Sequence, residues 1–257
     1  MSSRVAVVTG GGRGLGRGIA VALASDGFDL VLGYRHDGGA AAGTADAVRE
    51  RGRRAELVAG DVAEAATAKL LLDAATALGG PDAWINNAGV SALAPVVDTD
   101  PADLVRMLDV NVVGTLHGLQ AAAKWFVANG RPGRIVNLAS DLGVQACRNL
   151  GAYAATKFAV IGLTQSAALE LAADGITVNA VCPGTAETDM VLAERASEVT
   201  LTGLSPSDVR ASYLAAIPAG RFCTPEDVGA LVAWLCAPGS AYVTGQAVCV
   251  NGGSILH

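Results

Sequence analysis

Tyr153 and Lys157 stand four residues apart in the stretch GAYAATKFAVIGLTQSAALELA. On a helix that spacing puts both side chains on one face. A free tyrosine, with a pKa of about 10, is a poor acid or base near neutrality. A neighbouring ammonium favours the phenolate and lowers that pKa. The pair could therefore give a proton to a developing alkoxide, or take one from an alcohol. Spacing alone does not separate this from an ordinary amphipathic helix carrying a tyrosine and a lysine. Ser140, in IVNLAS, is a third candidate.

Positioning these groups requires a frame, and the chain reads as one. Short apolar runs at 4–9, 29–34, 55–60, 83–88, 134–139, 176–181 and 247–250 read as strands covered on both faces. Helical stretches lie between them at 15–26, 40–51, 63–78, 101–129, 152–173 and 225–236, two of them opened by Asp100-Pro101 and Thr224-Pro225. Repeated strand–helix alternation predicts an α/β fold, a doubly wound seven-stranded parallel sheet with helices on both faces, formed by residues 1–257 as one Rossmann-type domain. Ser140, the Asn86-Asn87-Ala88-Gly89 run and Pro183-Gly184 all fall at strand C-terminal ends, the edge where such sheets bind ligands. The stretch 185–220 has weak periodicity and several Thr, Ser and Pro. It is predicted to be an irregular insertion that covers a substrate, with a plain surface excursion as the alternative.

Between the first strand and the first helix runs Thr9-Gly10-Gly11-Gly12-Arg13-Gly14-Leu15-Gly16. Glycines there let the backbone approach a pyrophosphate, and the helix N-terminus offers free N–H groups. A dinucleotide is the expected ligand. A carboxylate that would hold the adenosine ribose hydroxyls is missing where the second strand ends, Gly33-Tyr34-Arg35-His36. Arg35 and Arg13 stand nearby instead and would receive a 2′-phosphate, which predicts NADPH (NADP+) over NADH. A plain solvated Arg35 is the alternative. Asp61 and Val62, after the third strand, sit where an adenine edge could be read, although Asp61 could equally cap a helix.

The bulk properties agree. The 257 residues are 51% hydrophobic and 16% charged, enough for a large core. A net charge of −6 argues against nucleic acid and anionic membranes, which need a basic footprint. No apolar run is long enough to span a bilayer, and Met1-Ser2-Ser3-Arg4 shows no signal-peptide pattern. Five widely spaced cysteines with no CxxC predict reduced thiols, a cytoplasmic protein and no metal site.

Taken together, TGGGRGLG (9–16), NNAG (86–89), Asn111 in LDVNVVG, Ser140, Tyr153 with Lys157, Pro183-Gly184 with Thr188 and the closing TGQAVCVNGG resemble the short-chain dehydrogenase/reductase family, over essentially the whole length. The resemblance implies roles. Tyr153 exchanges a proton with the substrate oxygen as hydride moves to or from a nicotinamide. Ser140 binds that oxygen. Lys157 bonds the nicotinamide ribose and lowers the tyrosine pKa. Asn111 anchors a water that links Lys157 to solvent. Asn87, Ala88 and Gly89 line the adenosine side, and Thr188 reaches the carboxamide or pyrophosphate. The implied activity is NADPH-dependent reduction of a ketone to a secondary alcohol. The alternative is NAD-linked oxidation of a polyol or secondary alcohol. A non-catalytic cofactor-sensing protein would be expected to lose the Tyr/Lys/Ser set, which is intact here.

The substrate stays open at this level. The local runs resemble both 3-oxoacyl-carrier-protein reductases and acetoin or polyol dehydrogenases. Candidate wall residues are Ser91, Asp141, Leu142, Gln145, Cys147, Arg148, Leu150, Thr185 and Met190. Arg148 could meet an anionic substrate group, or be a solvated loop arginine. The resemblance also implies a homotetramer that pairs the helices at 101–129 and 152–173 through Ala-rich faces, which could equally be intramolecular core.

Overall fold

Residues of the first strand divide between two cores. Ala6 and Val8 join one apolar cluster, and Val5 and Val7 join another. A strand that is buried on both faces has no polar side, so its sequence is continuously apolar. A computed structural model describes residues 4–256; the Met1-Ser2-Ser3 lead-in read above lies outside them. The strands are β1 (Arg4–Val8), β2 (Phe28–Tyr34), β3 (Ala55–Ala59), β4 (Ala83–Asn86), β5 (Arg134–Leu138), β6 (Thr177–Pro183) and β7 (Ala247–Val250). They form a seven-stranded parallel sheet in the order β3-β2-β1-β4-β5-β6-β7. The order reverses between β1 and β4, and a crevice opens there at the C-terminal edge.

The helices are α1 (Gly14–Ser25), α2 (Gly38–Arg49), α3 (Ala65–Ala77), α4 (Pro101–Met107), α5 (Gly114–Ala128), α6 (Gly151–Leu171), α7 (Asp189–Thr202), α8 (Pro206–Ala215) and α9 (Pro225–Leu235). Ile19 and Leu23 of α1, Val48 of α2, and Val228 and Val232 of α9 cover one face of the sheet. Leu71 of α3, Phe126 of α5 and Ala168 of α6 cover the other. The proline-opened starts form as expected. Asp100 accepts a hydrogen bond from Ala102 N at 2.8 Å, and Thr224 forms a reciprocal capping box with Asp227.

Two expectations change. The single helix expected at 101–129 is interrupted at Leu108–Val113 by a wider π-type turn, which carries Asn111. Such turns insert an extra residue into the helical ladder and concentrate at functional sites. The stretch 185–220, expected to be irregular, holds the two helices α7 and α8. Its periodicity misleads because α7 buries Glu194 and Arg195 rather than an apolar stripe, and α8 buries Val209 alone. Gly203, in the left-handed region at φ 71°, ends α7, and Ser205 caps α8 by accepting from Asp208 N.

Candidate active site

The glycine loop and the end of β4 are stapled together. Thr9 Oγ1 accepts the backbone N–H groups of Asn87 and Ala88 at 2.9 and 3.0 Å. The Asn87 amide donates back to the carbonyls of Thr9 and Gly10 at 2.9 and 3.1 Å. Asn87 thus shapes the loop as well as lining the groove above it. Gly10 sits at φ 62°, a region that suits glycine. A Cβ at Gly16 would lie 2.1 Å from the Gly10 carbonyl oxygen, so the loop closes only on a bare backbone.

The result is a groove of about 370 Å³ along the crevice. Gly10, Arg13, Gly14, Leu15, Gly16, Tyr34, Arg35, Asp61, Val62, Asn87, Ala88, Gly89 and Thr188 line it, whereas Tyr153, Lys157, Pro183 and Gly184 are not among its lining residues. No side chain caps the N-terminus of α1, which leaves its first N–H groups to a ligand. A bare-backbone cradle, open helix N–H groups and two arginines fit a dinucleotide phosphate. Both arginines already face carboxylates. Arg13 pairs with Asp189 at 2.8 Å and Arg35 with Asp61 at 3.0 Å. Asp61 also accepts from Ala63 N at 3.0 Å, in a turn ahead of α3. It is not that helix's cap, which falls at Glu64.

The tyrosine helix is bolted down at three levels. Trp84 Nε1 donates to Asn86, Asn86 to Asn137, and Asn137 to Thr164 Oγ1 on α6, at 2.9, 2.8 and 2.9 Å. This buried polar ladder is fully linked, as a low-dielectric interior requires. Lys157 Nζ donates to the Leu138 carbonyl at 2.8 Å. Asn111 Nδ2 donates to Thr156 Oγ1 at 3.0 Å and to the Val90 carbonyl at 2.9 Å, while its Oδ1 accepts from Val90 N at 2.8 Å. Asn111 is therefore a clamp between the loop after β4 and α6. One lone pair of Oδ1 remains for the water link that the resemblance implies. At the start of α6 the chain turns through Asn149, at φ 63°.

Ser140, Tyr153, Lys157 and Asn111 come together at the ends of β4 and β5. The Lys157 ammonium lies 5.5 Å from the Tyr153 ring centre, and a Cβ at Gly89 would meet Asn111 Oδ1 at 3.4 Å and Lys157 Nζ at 3.6 Å. Burial pushes the Tyr153 phenol above its ordinary pKa, with the Glu194 charge adding to it. A hydrogen bond with Ser140 counters that rise, and the Asp141 charge contributes to it. Lys157, expected to lower that pKa, does not enter this balance, since its ammonium donates to the Leu138 carbonyl. Burial also pushes Lys157 down to about 8. Ser140 Oγ accepts from Leu142 N at 3.1 Å and donates to Asp141 Oδ1 at 3.2 Å. Pro183 and Gly184 lie against β7, where Gly184 N donates to the Val250 carbonyl at 2.9 Å.

Other sequence candidates separate. Arg148 is exposed in the loop before α6. Ser91 instead gains a partner that sequence reading missed. Its hydroxyl donates to Glu194 of α7. The five cysteines are free thiols, and no His/Cys/Asp/Glu group among the described residues could hold a metal. No helix of the described residues is long and apolar enough to cross a membrane.

Comparison with known proteins matches this geometry. A family model described as enoyl-(acyl carrier protein) reductase matches residues 10–254. The chain is 41% identical to L-2,3-butanediol dehydrogenase of Corynebacterium glutamicum, over 99% of this chain and 100% of the relative. It is 38% identical to a diacetyl reductase [(S)-acetoin forming] of Staphylococcus epidermidis, over 99% of this chain and 100% of the relative. A variant of actinorhodin polyketide ketoreductase, solved with NADPH, superposes with a TM-score of 0.92 at 33% identity, covering 98% of this chain and 97% of that one. With a parallel sheet in this order, a glycine-loop groove and relatives matched end to end, the chain belongs to the short-chain dehydrogenase/reductase family and is an NAD(P)-dependent oxidoreductase.

Proposed function

We propose that this protein reduces the carbonyl of a small vicinal diketone or hydroxyketone to a secondary alcohol, with NADPH as the donor. The observation that carries the reading is the cluster of Ser140, Tyr153 and Lys157 beside the groove, with Lys157 Nζ 3.6 Å from where a Cβ on the groove-lining Gly89 would lie. A bound nicotinamide would supply the hydride. Tyr153 gives its phenolic proton to the substrate oxygen, and Ser140 holds that oxygen by a hydrogen bond. Lys157 bonds the ribose, and Asn111 keeps α6 and the loop after β4 in register. The buried phenol is protonated at neutral pH and so holds the proton that reduction consumes, although burial by itself makes it a weaker acid. The relatives named for butanediol and diacetyl support the substrate class.

NADPH is favoured on magnitude. Exposed ion pairs such as Arg13–Asp189 and Arg35–Asp61 contribute about 0–1 kcal/mol. A charge-assisted hydrogen bond to a phosphate contributes roughly 1.5–3 kcal/mol, so a 2′-phosphate competes successfully for either guanidinium. A second reading, NAD-linked oxidation of a diol, is favoured by one observation: Asp37 also lines the groove, although its carboxylate accepts from Ala40 N at 2.9 Å as the cap of α2. Initial rates with diacetyl, acetoin and 2,3-butanediol against NADPH, NADH and their oxidised forms decide between the two. A kcat/KM for NADH and NAD+ above that for the phosphorylated pair overturns the NADPH reading.

The segment 185–220 acts as the lid of this site. Arg195 anchors it, buried against the Phe222 ring at 4.5 Å and the Tyr213 ring at 5.6 Å. The site works within a homotetramer in the cytoplasm. Ala122, Ala167 and Ala168 are spent on the intramolecular core, but Val113, Val127, Phe158 and Leu169 remain exposed on α5 and α6 and beside them. Such apolar surface suits helix pairing between subunits. Light scattering checks the assembly, and a monomer at assay concentration would refute it.

A further inference from the structure

Two consecutive charged residues of α7, Glu194 and Arg195, are both more than nine-tenths buried. They serve different neighbours. Arg195 packs into the lid itself, on Phe222 and Tyr213, and donates to Glu187 at 3.3 Å. Glu194 turns towards the site. Its Oε1 accepts the Ser91 hydroxyl, from the loop after β4, across 103 residues of sequence. Its charge reaches the Tyr153 phenol and the Cys147 thiol. An ionised carboxylate can accept at both oxygens, yet Oε2 takes no hydrogen bond among the described residues. Oε2 is not among the fully buried, unpartnered atoms, so this oxygen is open to solvent and hence to a ligand. A hydroxyl donor on the substrate would satisfy it.

We infer that Glu194 is a specificity-determining residue of the substrate pocket, and that its carboxylate accepts a hydrogen bond from a hydroxyl on the carbon next to the reacting carbonyl. The inference rests on the ketone-reductase reading above and narrows its substrate to α-hydroxyketones, with the corresponding vicinal diols in reverse. Ser91 keeps the carboxylate turned inward by occupying Oε1. The same negative charge disfavours substrates with an anionic group near the carbonyl. A simple ketone offers Oε2 nothing and leaves it desolvated, which is the physical origin of the discrimination.

The test compares acetoin with 2-butanone, and 2,3-butanediol with 2-butanol, for wild type, Glu194→Gln and Glu194→Leu. The members of each pair share a carbon chain and differ by one hydroxyl. Glu194→Leu should lower kcat/KM for acetoin and butanediol by roughly 10- to 100-fold, the range of one hydrogen bond to a charged group. Activity on 2-butanone and 2-butanol should hold or rise by up to roughly 10-fold, since no hydrogen bond is lost there and no carboxylate oxygen is left unpaired. Glu194→Gln, whose amide oxygen still accepts, should recover part of the preference. Nucleotide binding, followed by fluorescence, should be unchanged in both variants and reports an intact fold. Equal loss on hydroxylated and simple substrates would mean a merely structural Glu194 and would overturn the inference while sparing the reductase reading. No change on either pair would also overturn it. A wild type inactive on all four compounds would overturn the substrate reading and this inference with it.

Discussion

Ser140 donates its hydroxyl proton to Asp141 Oδ1 at 3.2 Å, and Ser254 Oγ donates to the other oxygen of the same carboxylate at 3.1 Å. An ionised Asp141 therefore competes with any substrate oxygen for the Ser140 proton. Burial raises the Asp141 pKa, while the hydrogen bonds from Ser254, Ser140 and the backbone hold it down. Once protonated, Asp141 can donate to Ser140 and free that hydroxyl for the substrate. Reduction by wild type should thus speed up as pH falls through the Asp141 titration. Asp141→Asn, whose amide donates at all pH values, should match or exceed wild-type kcat at pH 7 and lose that acid-side rise. A pH–rate profile of both proteins checks this, and parallel profiles would count against the coupling.

Tyr153→Phe removes the proposed proton donor but keeps the ring that packs in the site. Turnover should fall by at least about 10²–10⁴-fold, the usual contribution of a positioned acid. NADPH affinity should stay within about 2-fold, because no phosphate contact is touched. Steady-state rates together with a fluorescence titration of NADPH measure both. Retained activity would refute the role given to Tyr153.

Lys157 titrates near 8 in the fold, against 10.5 as an ordinary lysine, because its ammonium is buried. Between those values the unfolded chain holds more protons than the folded one, so this group makes stability rise with pH over that window. Below about 8 both states are charged and the burial penalty stands in full. Urea midpoints of wild type should therefore gain on those of Lys157→Met between pH 8 and 10. Activity should move the other way. The kcat/KM for NADPH, which reports the free enzyme, should decline above about pH 8 as the ammonium is lost.

Arg35→Ala removes one guanidinium from the groove and leaves Asp61 without its partner. If a 2′-phosphate is recognised there, kcat/KM for NADPH should drop roughly 10- to 100-fold. The value for NADH should change by less than about 3-fold, since no phosphate contact is lost. Loss on both cofactors alike would place Arg35 in the architecture of the groove rather than in phosphate recognition.

The parallel, doubly wound class of the sheet and the glycine loop were legible in the chain alone, in short-range signals: an apolar run, a glycine at a strand-to-helix turn. The four-residue spacing of Tyr153 and Lys157 was ambiguous by itself, and only the family resemblance singled out that pair with Ser140. Helical content in 185–220 was not legible, because α7 turns charged residues inward and leaves no apolar stripe to read. Nor could sequence reveal that Asn111 clamps Val90 and Thr156, or that both groove arginines meet carboxylates. Only tertiary structure brought Glu194 to Ser91 and Ser254 to Asp141, pairs separated by 103 and 113 residues. No local pattern records such contacts, since their geometry is set by how α7 and the C-terminal loop pack over the sheet edge. The fold class and the nucleotide loop were thus readable from residues close in sequence, while the surroundings of Ser140 and Tyr153 were decided by residues far apart in it.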